Sequence, residues 1–133
     1  MPPIPKLGID VEVGKWHTVV ESSLFAAKAG KRLSELERDG IVDGLARNPW
    51  AGAVIPGTHG VRKWRYAVGA RGKSGGVRVI YYFYDEGWPV FLLQLYTKKE
   101  KADLTAAERN AMGKLAQQLK DSMKRQRSRR DMQ

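Results

Sequence analysis

The chain has 133 residues, enough for one compact core but not for two. Its 24 Lys and Arg against 14 Asp and Glu give a net charge of +10, which favours a polyanionic partner such as nucleic acid, an anionic membrane or an acidic protein. Because there is no Cys and there are only two His, disulfides and thiol nucleophiles are excluded, and we expect no metal and no other cofactor.

Residues 1–15 (MPPIPKLGIDVEVGK) contain Pro and acidic residues where a signal peptide needs an apolar core, so we interpret them as an N-terminal extension. The most apolar windows, VIYYFY and VFLLQLY, are much shorter than the roughly 18 residues of a membrane span. We therefore expect a cytoplasmic protein without membrane association.

The β-branched run WHTVVES, residues 16–22, is typical of a short strand. A helical pattern follows from Ser23 to Arg47, and a second helix is predicted to begin at a capping box formed by Ser34 and Glu37. Its apolar stripe consists of Leu33, Leu36, Ile41 and Leu45. The Pro- and Gly-rich stretch RNPWAGAVIPGTHG then ends the helix in a loop.

Three further strands are predicted over residues 61–67, 77–84 and 89–97, and the DEGW turn between the last two favours an antiparallel meander. Thr105 and Glu108 form a second capping box. It opens a helix whose apolar stripe consists of Met112, Leu115, Leu119 and Met123. These elements predict one α+β domain over residues 16–123, in the order β, α, α, β, β, β, α. Residues 124–133 form a basic tail without apolar periodicity, which we expect to be frayed.

Basic residues cluster on the predicted meander. Because strand side chains alternate between faces, Lys63 and Arg65 share one face of their strand, and Arg78 shares a face of the next strand with Ile80. An Arg inside an apolar strand is costly unless that face meets water or a partner, so we predict a cationic sheet face that handles phosphate. The further candidates for RNA binding, which are loop or strand-end cations and one stacking tyrosine, are Arg62, Arg71, Lys73, Tyr82, Lys98 and Lys101.

An ordered set of motifs gives the chain a resemblance to a known family. The set is NPWAGAVIPGTHGVRKWRY (48–66), GKSGGVRVIYY (72–82) and KKEKADLT (98–105). With these motifs the chain resembles the RelE/HigB superfamily of type II toxin–antitoxin toxins, on the HigB side, over about residues 17–120. The resemblance implies a RelE-like fold and a ribosome-dependent endoribonuclease that cuts translated mRNA without metal. It also implies a cognate antitoxin, here a HigA-like helix-turn-helix protein, beside the ribosome and mRNA as partners.

Carried over by position, the resemblance implies catalytic roles for Lys63, Arg65, Arg78 and Lys99. Attack of a 2′-hydroxyl on the adjacent phosphate builds negative charge on the phosphoryl oxygens, and Arg78 is the candidate to stabilise it. Lys63 or Arg65 would position the RNA backbone, with Lys63 also a candidate general base and Lys99 a candidate general acid. The family places a Tyr shortly after the last basic cluster, whereas this sequence has Thr105 there.

Two other functions fit the same residues. A non-catalytic RNA-binding module would bind RNA through this surface in a salt-sensitive way and release no cleavage products. A ParE-like gyrase inhibitor would act through protein contacts, which a DNA supercoiling assay would detect, but that activity does not need the cations around Arg78. For Lys99 and Lys101 taken alone, a solvated surface charge is the simpler interpretation.

Overall fold

The structure is a computed structural model that describes residues 16–68 and 76–132. Its elements in chain order are β1 (Val19–Glu21), α1 (Ser23–Arg32), α2 (Glu35–Arg47), β2 (Ala53–Val54), β3 (Val61–Tyr66), β4 (Val77–Tyr82), β5 (Val90–Thr97) and α3 (Ala106–Asp131). All of these strands join one sheet in the order β1-β5-β4-β3-β2. The predicted α+β class is confirmed, as is the antiparallel meander of β3, β4 and β5.

The short strands β1 and β2 complete the two edges of the sheet. β1 pairs parallel to β5, and β2 pairs antiparallel to β3. Within the meander, Arg65 lies directly opposite Arg78, and Arg78 lies opposite Tyr96. The β4–β5 register shifts by one residue between Ile80 and Tyr81, so Leu93 is an extra residue in β5. This shift changes which side chains of β5 lie on the same sheet face as Arg65 and Arg78.

Helices cover the sheet on both faces. On the first face, α1 and α2 supply Phe25, Ile41 and Leu45 to a core that includes Val79 and Tyr81 of β4. On the second face, α3 packs against a smaller cluster whose buried members are Val61, Ile80, Tyr82, Leu93, Tyr96, Leu104 and Ala116. The second face is therefore apolar where α3 crosses it and polar beyond that contact.

Both predicted capping boxes are present. The Ser34 hydroxyl accepts the Glu37 N–H, and the Glu37 carboxylate accepts the Ser34 N–H. Thr105 and Glu108 make the same reciprocal pair at the start of α3. Each box satisfies backbone N–H groups that the first helical turn leaves without a partner, which is why both helices begin where the sequence predicts.

Three expectations about the elements were wrong. The stretch predicted as loop contains the short edge strand β2, because Ala53 and Val54 find partners on β3. Leu36, assigned to an apolar stripe, is 82% exposed. The tail expected to be frayed continues α3 to Asp131, since Lys, Arg and Gln are good helix formers that propagate a helix already begun. Within the described residues, we find no helix both long and apolar enough to cross a membrane.

Candidate functional site

The candidate site begins with three cations on adjacent strands. Val61, Ile80 and Tyr82 pack on the α3 side of the sheet. By alternation along β3 and β4, Lys63, Arg65 and Arg78 lie on that same side. We call these three residues the cationic face. The prediction that they share one face therefore agrees with the register of the strands.

The Arg65–Arg78 pair places like charges directly opposite each other across two strands. Such a pair destabilises a sheet unless water or an anion screens it. Arg65 is exposed and Arg78 is half-buried. In the ranges 16–68 and 76–132, neither guanidinium forms an ion pair with a carboxylate. Both therefore keep their charge available for a bound anion.

Asp103 is the carboxylate at the edge of the cationic face. Its Oδ1 lies 3.4 Å from Lys63 Nζ and accepts a hydrogen bond from the Tyr96 hydroxyl, also at 3.4 Å. The same oxygen accepts the Leu104 N–H at 2.8 Å, which orients the carboxylate. The Asp103 side chain is 57% exposed, so it meets solvent while three donors hold it in place.

These contacts shift two pKa values in opposite directions. The hydrogen bond from the Leu104 N–H, followed by those from Lys63 and Tyr96, lowers the pKa of Asp103 below its ordinary value. Burial, followed by the nearby Asp103 charge, raises the pKa of Tyr96 to about 12. Near neutral pH, Asp103 is therefore ionised and Tyr96 keeps its proton.

A second ionic cluster lies beside the first, where α3 begins. Lys101 Nζ contacts Glu108 Oε2 at 2.5 Å, and Gln94 Nε2 lies 3.4 Å from the same oxygen. The hydrogen bond from Lys101, followed by the one from the Thr105 N–H, lowers the pKa of Glu108 to about 2. Lys101 Nζ also lies 5.6 Å from the centre of the Tyr96 ring, which links the two clusters.

A groove of about 400 Å³ opens next to Lys63 and Asp103. Its other wall is formed by β2 and the turn after it, and Arg109 of α3 lies at its side. The Arg109 guanidinium donates a hydrogen bond to the Leu104 carbonyl at 2.9 Å, so its position is fixed. The complete lining is Ala53, Val54, Ile55, Pro56, Lys63, Asp103 and Arg109. A partly apolar groove with cations at its rim suits an extended polyanion.

The other predicted site residues lie in several places. Lys98 and Lys99 are exposed in the turn that follows β5, and among the described residues neither forms an ion pair or a side-chain hydrogen bond. Arg71 and Lys73 fall outside the described residues. Lys101 lies beside the cationic face but is paired with Glu108.

Arg62 and Tyr82, both predicted to bind RNA, are instead engaged in contacts within the protein. Arg62 lies on the opposite sheet face, where its guanidinium donates to the Gly52 carbonyl at 2.6 Å and stacks 5.0 Å from the Trp50 ring. Tyr82 is only 2% exposed and packs in the core beneath α3. Stacking of a base on Tyr82 would require α3 to move.

The acidic and aromatic members of the site were not predicted from the sequence. Alternation alone places Phe91, Leu93 and Leu95 on one face of β5, but the register shift brings Gln94 and Tyr96 onto the face of Arg78. Asp103 was assigned no role, although an acidic residue that follows closely after a lysine-rich run is a usable signal. Asp103 lies within the KKEKADLT stretch, but nothing in that stretch marks Asp103 as a site residue, and no motif marks Tyr96.

Comparison with known proteins identifies the class. The family model described as "RelE toxin of RelE / RelB toxin-antitoxin system" matches residues 55–130, more than half of the chain. Among solved structures, the chain is similar to an arginine double mutant of E. coli toxin RelE in the free state, at 16% identity. That match covers 65% of this chain and 88% of that chain, with a TM-score of 0.48.

The family match, which spans β3, β4, β5 and most of α3, places the chain among the toxins of toxin–antitoxin systems. Within that class, it belongs to the RelE toxin family. The resemblance to the RelE/HigB superfamily noted in the sequence is thereby confirmed. Membership in a toxin–antitoxin family implies an antitoxin as partner.

Proposed function

We propose that the protein is a ribosome-dependent endoribonuclease that cleaves translated mRNA and so inhibits translation. The observation that carries this proposal is the Arg65–Arg78 pair, two cations without a described carboxylate partner. The pair lies on the same sheet face as Lys63, which contacts the ionised Asp103. Family membership supports the choice of RNA as the anion. The site of action would be the bacterial cytoplasm, where mRNA is translated.

The proposed reaction uses the RNA's own 2′-hydroxyl as nucleophile. Its oxygen forms a bond to the adjacent phosphorus while the bond from phosphorus to the 5′-oxygen breaks. The products are a 2′,3′-cyclic phosphate and a free 5′-hydroxyl. A base takes the proton of the 2′-hydroxyl, an acid returns one to the 5′-oxygen, and cations stabilise the charge that builds on the phosphoryl oxygens.

We assign Arg78 to the phosphoryl oxygens because its guanidinium can contact two of them at once. Arg65, directly opposite, would share that charge, and Lys63 at the rim of the groove would position the RNA backbone. Arg71, Lys73, Lys98 and Lys101 remain proposed as further RNA contacts.

We assign the base to Asp103 in preference to Lys63. Asp103 is ionised, exposed to the groove and held by three hydrogen-bond donors, whereas Lys63 is engaged as one of those donors. Tyr96 is fully buried, so we treat it as a positioning residue for the Asp103 carboxylate. Lys99, exposed in the turn after β5, remains the candidate acid for the 5′-oxygen.

The test is a reconstituted translation reaction in which mRNA 5′ ends are mapped by primer extension, with a ribosome-free reaction in parallel. We expect cuts only in mRNA that is being translated. Arg78→Ala should reduce the cleavage rate by about 10²-fold or more, because it removes a preorganised donor to the transition state. Lys31→Ala, which removes an exposed cation of α1 on the other side of the sheet, should cleave like the wild type.

Other outcomes would point to other functions. Cuts in the ribosome-free reaction would contradict ribosome dependence. Intact mRNA in every reaction, from protein shown to be folded, would contradict the enzyme and favour a binding-only module that inhibits translation by occupancy. Full cleavage by folded Arg78→Ala would contradict the assignment of the phosphate-binding residue.

A further inference from the structure

The last helix extends past the body of the protein. Met123 is the last residue of α3 that packs against a core cluster. After it, residues 124–131 continue the helix for about two more turns, and every one of them is exposed. We call residues 124–131 the helix tip.

The helix tip is strongly basic and carries no apolar side chain. Its sequence, KRQRSRRD, holds five cations and one carboxylate, and the cations are Lys124, Arg125, Arg127, Arg129 and Arg130. At 100° per residue these side chains point to several sides of the helix rather than forming one stripe. The tip therefore presents positive charge all around an exposed helical rod.

The rest of the fold adds little to the stability of the helix tip. No core packing supports it, and like charges four residues apart, as at Arg125 and Arg129, destabilise a helix. Of the tip cations, only Lys124 contacts the body of the protein, with its Nζ 5.5 Å from the centre of the Tyr84 ring. The repulsion would be relieved by a polyanion that neutralises several of these cations at once.

The composition of the helix tip favours a phosphate polyanion over an acidic protein as its partner. A helix that docks in a protein groove needs apolar anchors at three- and four-residue spacing, and the tip has none. Four of its five cations are arginines, whose planar fork suits phosphate. Along α3, Arg129 lies about 30 Å from Arg109 at the groove, beyond the reach of the few nucleotides at a cleavage site.

We propose that the helix tip binds the phosphates of a structured RNA, at a surface separate from the cationic face. The choice of RNA over other phosphate polyanions rests on the proposed function, since a ribosome presents structured RNA on its surface. The tip then serves as a second anchor that holds the toxin on its target while the groove engages mRNA.

The test measures binding of the full chain to a fluorescent RNA duplex of about 16 base pairs, by anisotropy over a series of salt concentrations. In the tip variant, Arg125, Arg127, Arg129 and Arg130 are all changed to Gln, which favours helix as Arg does. We expect its affinity at low salt to fall by about tenfold or more. The slope of log affinity against log salt should become shallower by about one unit per lost phosphate contact.

The matched control removes the same charge elsewhere, with Lys28, Lys31, Arg32 and Arg47 of α1 and α2 changed to Gln. It should bind the duplex nearly as the wild type does, and circular dichroism should show that both variants keep their helices. Equal weakening of the two variants would overturn the proposal, because net charge alone would then explain binding.

A second arm uses a polyglutamate peptide in place of RNA. If the tip variant bound RNA normally but lost the peptide, the tip would be a dock for an acidic protein and the proposal would be overturned. Because neither arm contains ribosomes or a cleavage step, a failed cleavage experiment leaves these results unchanged.

Discussion

Asp103 could act at the site in two ways, as the base of the reaction or as the counter-ion of Lys63. Its carboxylate is the acceptor for Lys63 and Tyr96, and it lies at the groove where RNA is proposed to pass. Two roles predict opposite effects of its removal. If Asp103 is the base, its removal slows cleavage. If Asp103 is only a counter-ion that holds Lys63 away from RNA, its removal speeds cleavage.

We expect Asp103→Asn to lower the single-turnover cleavage rate by about 10²- to 10⁴-fold, the usual contribution of a positioned general base. Asn is similar in shape but cannot take the 2′-hydroxyl proton. The rate is measured on translated mRNA under saturating toxin. Asp121→Asn, which alters an exposed carboxylate of α3, is the matched control and should leave the rate unchanged. A faster reaction with Asp103→Asn would show that Asp103 is a counter-ion rather than the base.

At this scale the sequence indicated the cations but not their partners. Lys63, Arg65 and Arg78 could be assigned to one face because alternation along uninterrupted strands is sufficient. Tyr96 could not be assigned to the face of Arg78 from the sequence. The register shift between Ile80 and Tyr81 makes Leu93 an extra residue, so the side chains of β5 after Leu93 lie on the opposite face from the one that simple alternation predicts. Asp103 reaches the site through a non-repetitive segment whose path depends on tertiary contacts, which local patterns do not encode.

At the scale of elements, one buried tyrosine holds the segment that forms a wall of the groove. The Tyr81 hydroxyl of β4 donates to the Pro49 carbonyl at 2.8 Å and accepts the Gly52 N–H at 2.7 Å. A Cβ at Gly52 would lie 2.9 Å from that hydroxyl, so only glycine allows this approach. Arg62, the cross-strand partner of Tyr81 on β3, donates to the Gly52 carbonyl. The segment before β2 is thus fixed from two elements.

Tyr81→Phe should lower the free energy of unfolding by about 1–3 kcal/mol, because it leaves a buried N–H and a buried carbonyl without their partner. The measurement is urea denaturation followed by Trp fluorescence. Tyr84→Phe is the control, since the Tyr84 hydroxyl makes no hydrogen bond within the part of the chain that the structure describes. Equal stability of Tyr81→Phe and the wild type would mean that water replaces the hydroxyl at Gly52 and Pro49.

Elements with strong local signals were predicted well. Both capping boxes fixed the starts of α2 and α3 because the interaction is complete within four residues. β2 was missed because a two-residue edge strand has almost no pattern of its own and exists through its pairing with β3. The helix tip was missed because apolar periodicity signals burial, whereas helix formation there follows from propensity and continuity.

At the scale of the whole molecule, acidic residues at the site stabilise a fold that is otherwise rich in positive charge. The pKa of Glu108 falls from an ordinary value of 4.5 to about 2 in the folded protein, chiefly through the hydrogen bond from Lys101. The folded state therefore binds fewer protons at this group than the unfolded chain does. Its contribution to stability is fully present above about pH 4.5 and is lost as the pH falls toward 2.

We therefore expect Glu108→Gln to be less stable than the wild type near pH 7 and the difference to close as the pH approaches 2. Gln retains the capping box with Thr105, so the variant removes the charge and spares the helix start. Urea midpoints between pH 2 and pH 7 measure the effect, and Glu35→Gln in the first turn of α2 serves as the control. A constant gap between wild type and Glu108→Gln over the whole range would mean that packing, and not the ion pair with Lys101, supplies the stability.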